Sequence, residues 1–205
     1  VLQQGAQHHL ERSDPDPVMR AKLTPDYRLG CKRILLSNNY YPALQQDNVD
    51  LVTEPIREVR PHGIVTADGV EHEVDTIIFG TGFHVTDTPI SEKVRGRDGR
   101  TLAEVWQGSP KAYRGITVSG FPNLFLLVGP NTGQGHTSVV FTIESQVAYL
   151  RDALRTMRER GYGAVEPRAE AQRAWNADVQ RRMRRTVWNT GGCSSWYLDR
   201  HGRNT

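Results

Sequence analysis

A short apolar run from Leu124 to Val128 is followed by the glycine-rich stretch Gly-Pro-Asn-Thr-Gly-Gln-Gly, and then by a long helical pattern that begins near Ser138. A buried strand that leads through such a turn into a helix N-terminus leaves backbone N–H groups unpaired, which suits an anionic or carbonyl-rich ligand. A second apolar run, Ile77 to Phe79, also ends in glycines, at 80–82. Mixed strands and helices with glycine turns at strand ends predict an α/β or mixed α+β architecture of the nucleotide-binding kind.

The rest of the chain alternates between helical and strand patterns. A hairpin is predicted over 63–75, because two short β-prone runs flank Asp68-Gly69, a dipeptide that tolerates the positive φ angles of tight turns. Further strands are predicted at 33–37, 49–53, 56–59, 77–79, 116–119, 124–128 and 194–198. Helices are predicted at 1–12, 19–23, 102–106, from about 138 to 160, and at 168–188.

The two long helical patterns each carry an apolar face. In the first, apolar residues recur at steps of three and four, and Gly161 is the expected stop. Its members are Ile143, Val147, Leu150, Leu154 and Met157. In the second, the apolar positions recur every fourth residue, at Trp175, Val179, Met183 and Val187. Both faces are predicted to be buried.

Composition is that of an ordinary globular protein: 205 residues, of which 37% are hydrophobic and 24% charged, with a formal net charge of +3. The mildly basic balance suits an anionic dinucleotide as well as it suits nucleic acid. No signal peptide is visible at the N-terminus, and the apolar runs are too short to span a bilayer. Cys31 and Cys193 lie far apart in the sequence without metal-ligand spacing, so two free thiols in a reducing cytoplasm are expected.

Each candidate motif also has a purely structural interpretation. The stretch Gly133-Gln-Gly135-His-Thr-Ser lacks the lysine of a phosphate loop and is, on its own, more typical of a tight turn. The glycines at 80–82 could equally serve close packing, and the pair Lys32-Arg33 could be solvated. The run Arg181 to Arg185 is most simply the solvated side of the last helix, although it leaves open a basic module that binds nucleic acid or a protein partner. No metal-binding histidine spacing is present, so no metal is expected.

Four ordered blocks resemble the C-terminal half of the class B flavin-dependent monooxygenases, particularly the Baeyer–Villiger type. The blocks are LTPDYRLGCKRILLSNNYYPAL (23–44), DTIIFGTGF (75–83), GFPNLFLLVGPNTGQGHTSVVFTIESQ (120–146) and SSWYLDRHGRN (194–204). The resemblance implies part of a two-domain, Rossmann-like flavoprotein that binds FAD and NADPH. Residues 1–29 would end an inserted helical region, 30–79 would close the NADPH-binding domain, and 80–205 would form the C-terminal half of the FAD-binding domain.

The resemblance also implies roles for individual residues. Arg33 matches an arginine beside the flavin, where a permanent cation can stabilise developing negative charge, and is the expected catalytic residue. Lys32 and Trp196 match positions associated with NADPH. The positions expected to contact FAD are Gly80, Thr81, Gly82, Gly129, Pro130, Asn131, Ser138 and Val139. Gly80 replaces the more usual alanine, and His84 stands where many members carry an acidic residue.

The activity implied by the resemblance is NADPH-dependent insertion of one oxygen atom from O₂ into a ketone, or its transfer to a soft nitrogen or sulfur atom, by way of a peroxyflavin. The cofactor would carry the difficult chemistry and the protein would orient and stabilise. Residues 1–205 contain no GxGxxG fingerprint for either dinucleotide and no FxGxxxHxxxW signature. The chain is therefore expected to need an N-terminal half of the same polypeptide for activity.

Overall fold

The computed structural model describes residues 2–14, 16–83, 85–133 and 138–205. Its helices are α1 (Leu2–Ser13), α2 (Pro17–Leu23), α3 (Tyr40–Leu44), α4 (Leu102–Trp106), α5 (Val139–Arg160), α6 (Ala169–Met183) and α7 (Val187–Thr190), with a 3₁₀ helix at Pro89–Glu92. Three strands, β1 (Ile56–Arg60), β2 (Gly63–Thr66) and β3 (Glu71–Glu73), form an antiparallel sheet in the order β1-β2-β3.

The chain separates into two compact units. Unit 1 consists of residues 1–26 and 35–83, and unit 2 of residues 27–34 and 84–205. Neither unit is continuous in sequence, because the segment Tyr27–Ile34 belongs to unit 2 while the residues on both sides of it belong to unit 1. The predicted boundaries after residues 29 and 79 concern the cofactor domains of a whole enzyme, and they stay a prediction.

Unit 1 contains the predicted hairpin. Thr66 Oγ1 donates a hydrogen bond of 2.6 Å to Asp68 Oδ1, and Gly69 takes a φ of 90° in the turn. The hydrogen bond from the Thr66 hydroxyl is the main cause that lowers the pKa of Asp68. Val65 and Thr66 of β2 are buried, so the hairpin prediction is confirmed.

The core of unit 2 surrounds α4. Its buried members are Leu102, Trp106, Ala112, Val118 and Phe121. Helix α4 has the predicted bounds and begins with a reciprocal capping box, in which Thr101 Oγ1 accepts from Glu104 N–H and a Glu104 carboxylate oxygen accepts from Thr101 N–H. The bond from the backbone N–H of Thr101 is the main cause that lowers the pKa of Glu104.

The two long helices differ from each other in how well the sequence predicts them. Helix α5 ends at Gly161, which takes a left-handed φ of 67°, as predicted. The prediction of one helix over 168–188 is wrong in its length, because α6 stops at Met183 and α7 begins after Thr186. The apolar face of α5 is also not buried as predicted, since Val147 and Leu154 are exposed and the one buried residue of the described helix is Gln146.

Several predicted strands do not form in the part of the chain that the structure describes. Strand ladders are absent from 33–37, 49–53, 77–79, 116–119, 124–128 and 194–198. Only the last three of these ranges contain an isolated bridge, such as that from Thr117 to Phe125. A strand exists only when a neighbour accepts its hydrogen bonds. Leu36 is 96% exposed and Ile78 90% exposed, so two of these apolar runs lack a covering partner among the described residues.

The cysteines correct a second expectation. Cys31 and Cys193 form a disulfide with a Cα–Cα distance of 6.2 Å, so the prediction of two free thiols is wrong. Sequence separation carries no information about distance in the fold, and both residues lie in unit 2. The inference of a reducing cytoplasm depended on free thiols, so it loses its support.

Candidate functional site

The turn after residues 124–127 has an unusual backbone. Val128 has a φ of 54° and Asn131 a φ of 62°, both in the left-handed region. This region is rare for a β-branched residue such as valine. Residues held there cost on the order of 1–3 kcal/mol each and persist only where surrounding contacts fix them, often at ligand sites. The turn from Val128 to Thr132 is therefore fixed by its surroundings.

Side chains from distant parts of unit 2 hold this turn. The side-chain oxygen of Gln146, on α5, accepts a 2.8 Å hydrogen bond from Val128 N–H, and Gln146 is only 4% exposed. Asn131 Nδ2 donates to the carbonyl oxygen of Asn204 at 2.8 Å. Within the turn, Thr132 Oγ1 donates to the carbonyl oxygen of Gly129 at 2.6 Å. These bonds tie the turn to α5 and to the C-terminal segment.

Gly129 allows two backbone segments to meet. A Cβ atom at Gly129 would lie 2.4 Å from the carbonyl oxygen of Gly115 and 2.9 Å from Leu126 Cβ. Atoms of a side chain cannot approach that closely, so only glycine fits this approach. The predicted FAD-binding position Gly129 thus has a structural requirement that is visible in this chain.

The N-terminus of α5 lies further along the same chain segment. Ser138 takes the extended N-cap conformation, and its side chain makes no capping hydrogen bond to the first turn. That described first turn carries no acidic residue, and Val139, Val140 and Phe141 are exposed. The partial positive charge of the helix end therefore lacks a carboxylate partner on α5 itself. Residues 134–137, with Gly135 of the glycine motif, lie outside the described residues.

The residues predicted to contact NADPH lie on two segments of unit 2 that the disulfide joins. Lys32 follows Cys31 directly, and its Nζ lies 4.6 Å from the centroid of the Tyr27 ring. Arg33 is exposed. Trp196 lies three residues after Cys193 and is 52% exposed, with its ring edge-on to that of Tyr197.

The remaining predicted FAD positions lie in unit 1. Gly80, Thr81 and Gly82 are exposed, and Gly82 has a φ of 86°. A Cβ atom at Gly80 or Gly82 would meet none of the described atoms within 4 Å. Close packing among the described residues thus does not explain either glycine. His84 lies outside the described residues.

Two residues that hold the site, Gln146 and Asn204, lie outside the positions that the sequence marks as functional. Gln146 lies on the apolar face of α5, three residues after Ile143. A polar residue on an apolar helix face is the sequence feature that could have identified it. Asn204 is buried near the C-terminus, where it accepts from Asn131, and its backbone N–H donates to Gln180 Oε1 at 3.2 Å. No sequence pattern marks Asn204, because its partners are distant in the chain.

The basic run on the last long helix is partly neutralised. Asp178 accepts hydrogen bonds from the guanidinium groups of Arg181 and Arg182, the latter at 2.7 Å. The bond from Arg181 is the main cause that lowers the pKa of Asp178. These pairs support the interpretation of this face as solvated helix surface. Among the described residues, no group of three His, Cys, Asp or Glu could hold a metal ion, and no helix is long and apolar enough to cross a membrane.

Comparison with known proteins places these features in a family. The chain is 58% identical over its whole length to a Baeyer–Villiger monooxygenase of Streptomyces coelicolor, and 52% identical over 97% of its length to one of Pseudomonas aeruginosa. Its fold matches a structure of OTEMO in complex with FAD and NADP with a TM-score of 0.88, at 32% identity over 99% of the chain and 38% of that chain. It also matches oxidised steroid monooxygenase bound to NADP with a TM-score of 0.80, at 34% identity over 94% of the chain and 37% of that chain. No protein-family model matches the sequence of this chain.

These matches define a flavoprotein monooxygenase class. The chain belongs to the class B flavin monooxygenases of the Baeyer–Villiger type and corresponds to their C-terminal part. It spans 40% and 38% of the length of the two bacterial relatives. The predicted α/β, Rossmann-like class of the parent fold is confirmed, and the antiparallel sheet and helices described above are one part of it.

Replacing Gln146 by leucine is expected to weaken FAD binding. The change leaves Val128 N–H buried without an acceptor, which costs about 1–3 kcal/mol and allows the strained turn to relax. If all of that loss appears in FAD binding, the Kd for FAD is roughly 5- to 150-fold weaker. Fluorescence titration of the full-length apoprotein with FAD measures it. Arg151→Ala, an exposed change on the same helix, is the control and should leave the Kd unchanged; equal affinities for Gln146→Leu and wild type would refute the role of Gln146.

Proposed function

We propose that this chain is the C-terminal part of an FAD- and NADPH-dependent Baeyer–Villiger monooxygenase, which inserts one oxygen atom of O₂ into a small-molecule ketone. The observation that carries the proposal is the Val128–Thr132 turn. This strained turn is fastened to α5 by Gln146, and its sequence is part of the block through which the chain resembles the family. The relatives of the chain bear the name of this activity.

The residues present fit the flavin. The α5 N-terminus lacks a carboxylate of its own and offers an exposed apolar first turn. A flat heterocycle that gains negative charge on reduction suits both properties. When bound, FAD would accept hydride from NADPH and activate oxygen. The chain's own groups, Ser138 and Val139 at the helix end and Gly129 to Asn131 in the turn, would bind and orient the ring system and stabilise its charge.

Arg33 and Lys32 would act on charge in different places. Arg33 is always protonated, so its guanidinium would donate hydrogen bonds to oxygen atoms that become negative as the ketone is attacked. Lys32 would attract the 2′-phosphate of NADPH as a point charge. Trp196 would contact the nicotinamide side through its exposed ring face. Oxidation of a soft nitrogen or sulfur atom would use the same groups. The ketone is proposed as the substrate because the relatives are named for Baeyer–Villiger activity.

The chain would act as part of a longer polypeptide. Leu35, Leu36, Ile78, Phe79 and Phe83 are exposed apolar side chains, and several lie in runs whose sequence predicts strands. Large apolar side chains exposed in such number normally have a partner. Because the bacterial relatives are longer than this chain, we assign that partner to an N-terminal half of the same polypeptide. We propose a cytoplasmic location because the enzyme would need NADPH. Free thiols no longer support that location, because Cys31 and Cys193 form a disulfide.

The experiment is a test of the full-length protein for coupled oxygenation. Purified protein should carry FAD, visible as flavin absorbance, and should oxidise NADPH faster when a ketone is added. Mass spectrometry with labelled O₂ should show one labelled oxygen in an ester product. A colourless protein that instead binds arbitrary DNA with a steep dependence on salt would favour the basic-module alternative and would refute the proposal.

Replacing Trp196 by alanine is expected to raise the KM for NADPH with little effect on FAD content. Stacking of a base on an aromatic ring contributes about 1–3 kcal/mol, so the KM should rise roughly tenfold. The matched control is Trp175→Ala, because Trp175 is a half-buried tryptophan of α6 that packs against Tyr113. That control should lower thermal stability without changing the KM. Equal loss of FAD and NADPH in Trp196→Ala would instead mark Trp196 as a packing residue.

A further inference from the structure

The disulfide joins the two segments that carry the predicted NADPH residues. Cys31 lies next to Lys32 and Arg33, and Cys193 lies three residues before Trp196. The two cysteines are separated by 162 residues of sequence. The disulfide thus connects two segments of the proposed site that are far apart in the sequence.

The segment Tyr27–Ile34 depends on this region for its place in unit 2. The chain before it and after it belongs to the other unit. Arg28 N–H donates to the carbonyl oxygen of Gly191 at 2.9 Å, and Gly191 lies so close to Cys31 that a Cβ atom there would be 2.6 Å from Cys31 Cβ. These contacts cluster around the disulfide. The disulfide therefore helps to fix the positions of Lys32 and Arg33 relative to Trp196.

The two cysteine residues differ in exposure. Cys31 is 0% exposed, whereas Cys193 is half-buried between the exposed residues Gly192 and Ser194. Thiol–disulfide exchange requires a thiolate to reach one sulfur atom of the bond. An attacking thiolate meets Cys193 first. Disulfides of cytoplasmic proteins are usually transient, catalytic or redox-sensing rather than permanent.

We propose that the Cys31–Cys193 disulfide is a redox-responsive positioning link, which holds the Lys32–Arg33 segment and the Trp196 segment together for NADPH binding. This inference rests on the proposed function. The link opens by exchange with a dithiol reductant. One thiolate of the reductant attacks Cys193 Sγ and releases the Cys31 thiolate, and the second thiol then displaces Cys193. The reductant becomes a disulfide, and its two electrons and two protons end on the two cysteine thiols.

Opening the link affects NADPH more than FAD. The freed Lys32–Arg33 segment is connected at both ends to residues of unit 1, so the site must be ordered again each time NADPH binds. A misplacement on the order of 1 Å can cost about a hundredfold in rate. The Val128–Thr132 turn is held by Gln146 and Asn204 through contacts that do not involve the disulfide. FAD bound at that turn therefore stays in place.

The test compares the full-length, FAD-loaded protein in its oxidised form, after dithiothreitol, and as Cys193→Ser and Cys31→Ser/Cys193→Ser variants. Thiol labelling under denaturing conditions should find Cys31 and Cys193 unlabelled before dithiothreitol and both labelled after it. The KM for NADPH should rise about tenfold in the reduced protein and in both variants, because the freed segment must be ordered on binding, while FAD content stays constant. Dithiothreitol should have no further effect on the double variant.

Val118→Ala serves as the control for a purely structural role, because Val118 is fully buried in the core of unit 2. It should lower the melting temperature without raising the KM for NADPH. If Cys193→Ser fails to fold, the dithiothreitol comparison on wild-type protein alone decides the matter. Labelling of both cysteines in the oxidised protein, or an unchanged KM after reduction, overturns the inference. A wild-type protein without FAD or NADPH oxidation overturns the proposed function instead, so the two failures are distinguishable.

Discussion

Replacing Arg33 by alanine in the full-length protein is expected to abolish oxygen transfer to the ketone while FAD remains bound and reducible by NADPH. The guanidinium is the permanent cation at the flavin-facing position that the family resemblance implies, and it is exposed in this chain. Loss of one preorganised donor to a developing oxyanion typically lowers kcat about 10²- to 10³-fold. Ester formation is measured by gas chromatography, and NADPH oxidation by absorbance. NADPH should still be consumed, with O₂ then reduced to hydrogen peroxide.

The lysine variant refines this test. Arg33→Lys keeps the charge but loses the planar, forked donor geometry, so it is expected to recover only part of the activity. Arg151→Ala, an exposed arginine of α5, serves as the control for loss of one surface charge and should form ester at the wild-type rate. Undiminished ester formation by Arg33→Ala would remove Arg33 from the catalytic assignment.

The isolated 205-residue chain is expected not to bind FAD at all. The pyrophosphate of FAD needs a βαβ turn with its glycine fingerprint, and residues 1–205 contain none. The chain would contribute the Val128–Thr132 turn, the α5 N-terminus, residues 80–82 and Arg33, but not this pyrophosphate site. Its exposed apolar side chains, Leu36 and Ile78 among them, should also drive self-association.

The measurements for the isolated chain are visible absorbance after incubation with excess FAD and light scattering on a sizing column. A colourless, associated protein without NADPH oxidase activity is the expected result. The full-length protein, prepared in the same way, provides the positive control. Stoichiometric FAD in the monomeric 205-residue chain would contradict the prediction and would mean that its site is self-contained.

Local features of this fold were predictable from the sequence. The hairpin around Asp68-Gly69, helix α4 and the end of α5 at Gly161 all depend on residues that are close in the chain. Turn chemistry, capping residues and a left-handed glycine determine such features. Each therefore appears where its pattern predicts it.

Non-local features were not predictable. Residues 33–37 and 77–79 have the composition of strands, but a strand also needs a partner, and the structure shows none for them within the described residues. The disulfide and the hydrogen bond from Val128 to Gln146 join residues whose proximity no local pattern encodes. The candidate site could be located at its glycines by resemblance, but what holds it in place came only from the fold.

The placement of the Tyr27–Ile34 segment limits how this protein can be dissected genetically. Unit 2 includes that segment although residues 35–83 of the other unit intervene before the chain returns. A truncated gene that begins at residue 85 would encode almost all of unit 2 but would omit Cys31. The product would carry Cys193 as an unpaired thiol and would lack the peptide on which Lys32 and Arg33 lie. Gene fusions and deletions in this region should therefore keep residues 27–34 in the same polypeptide as residues 187–196.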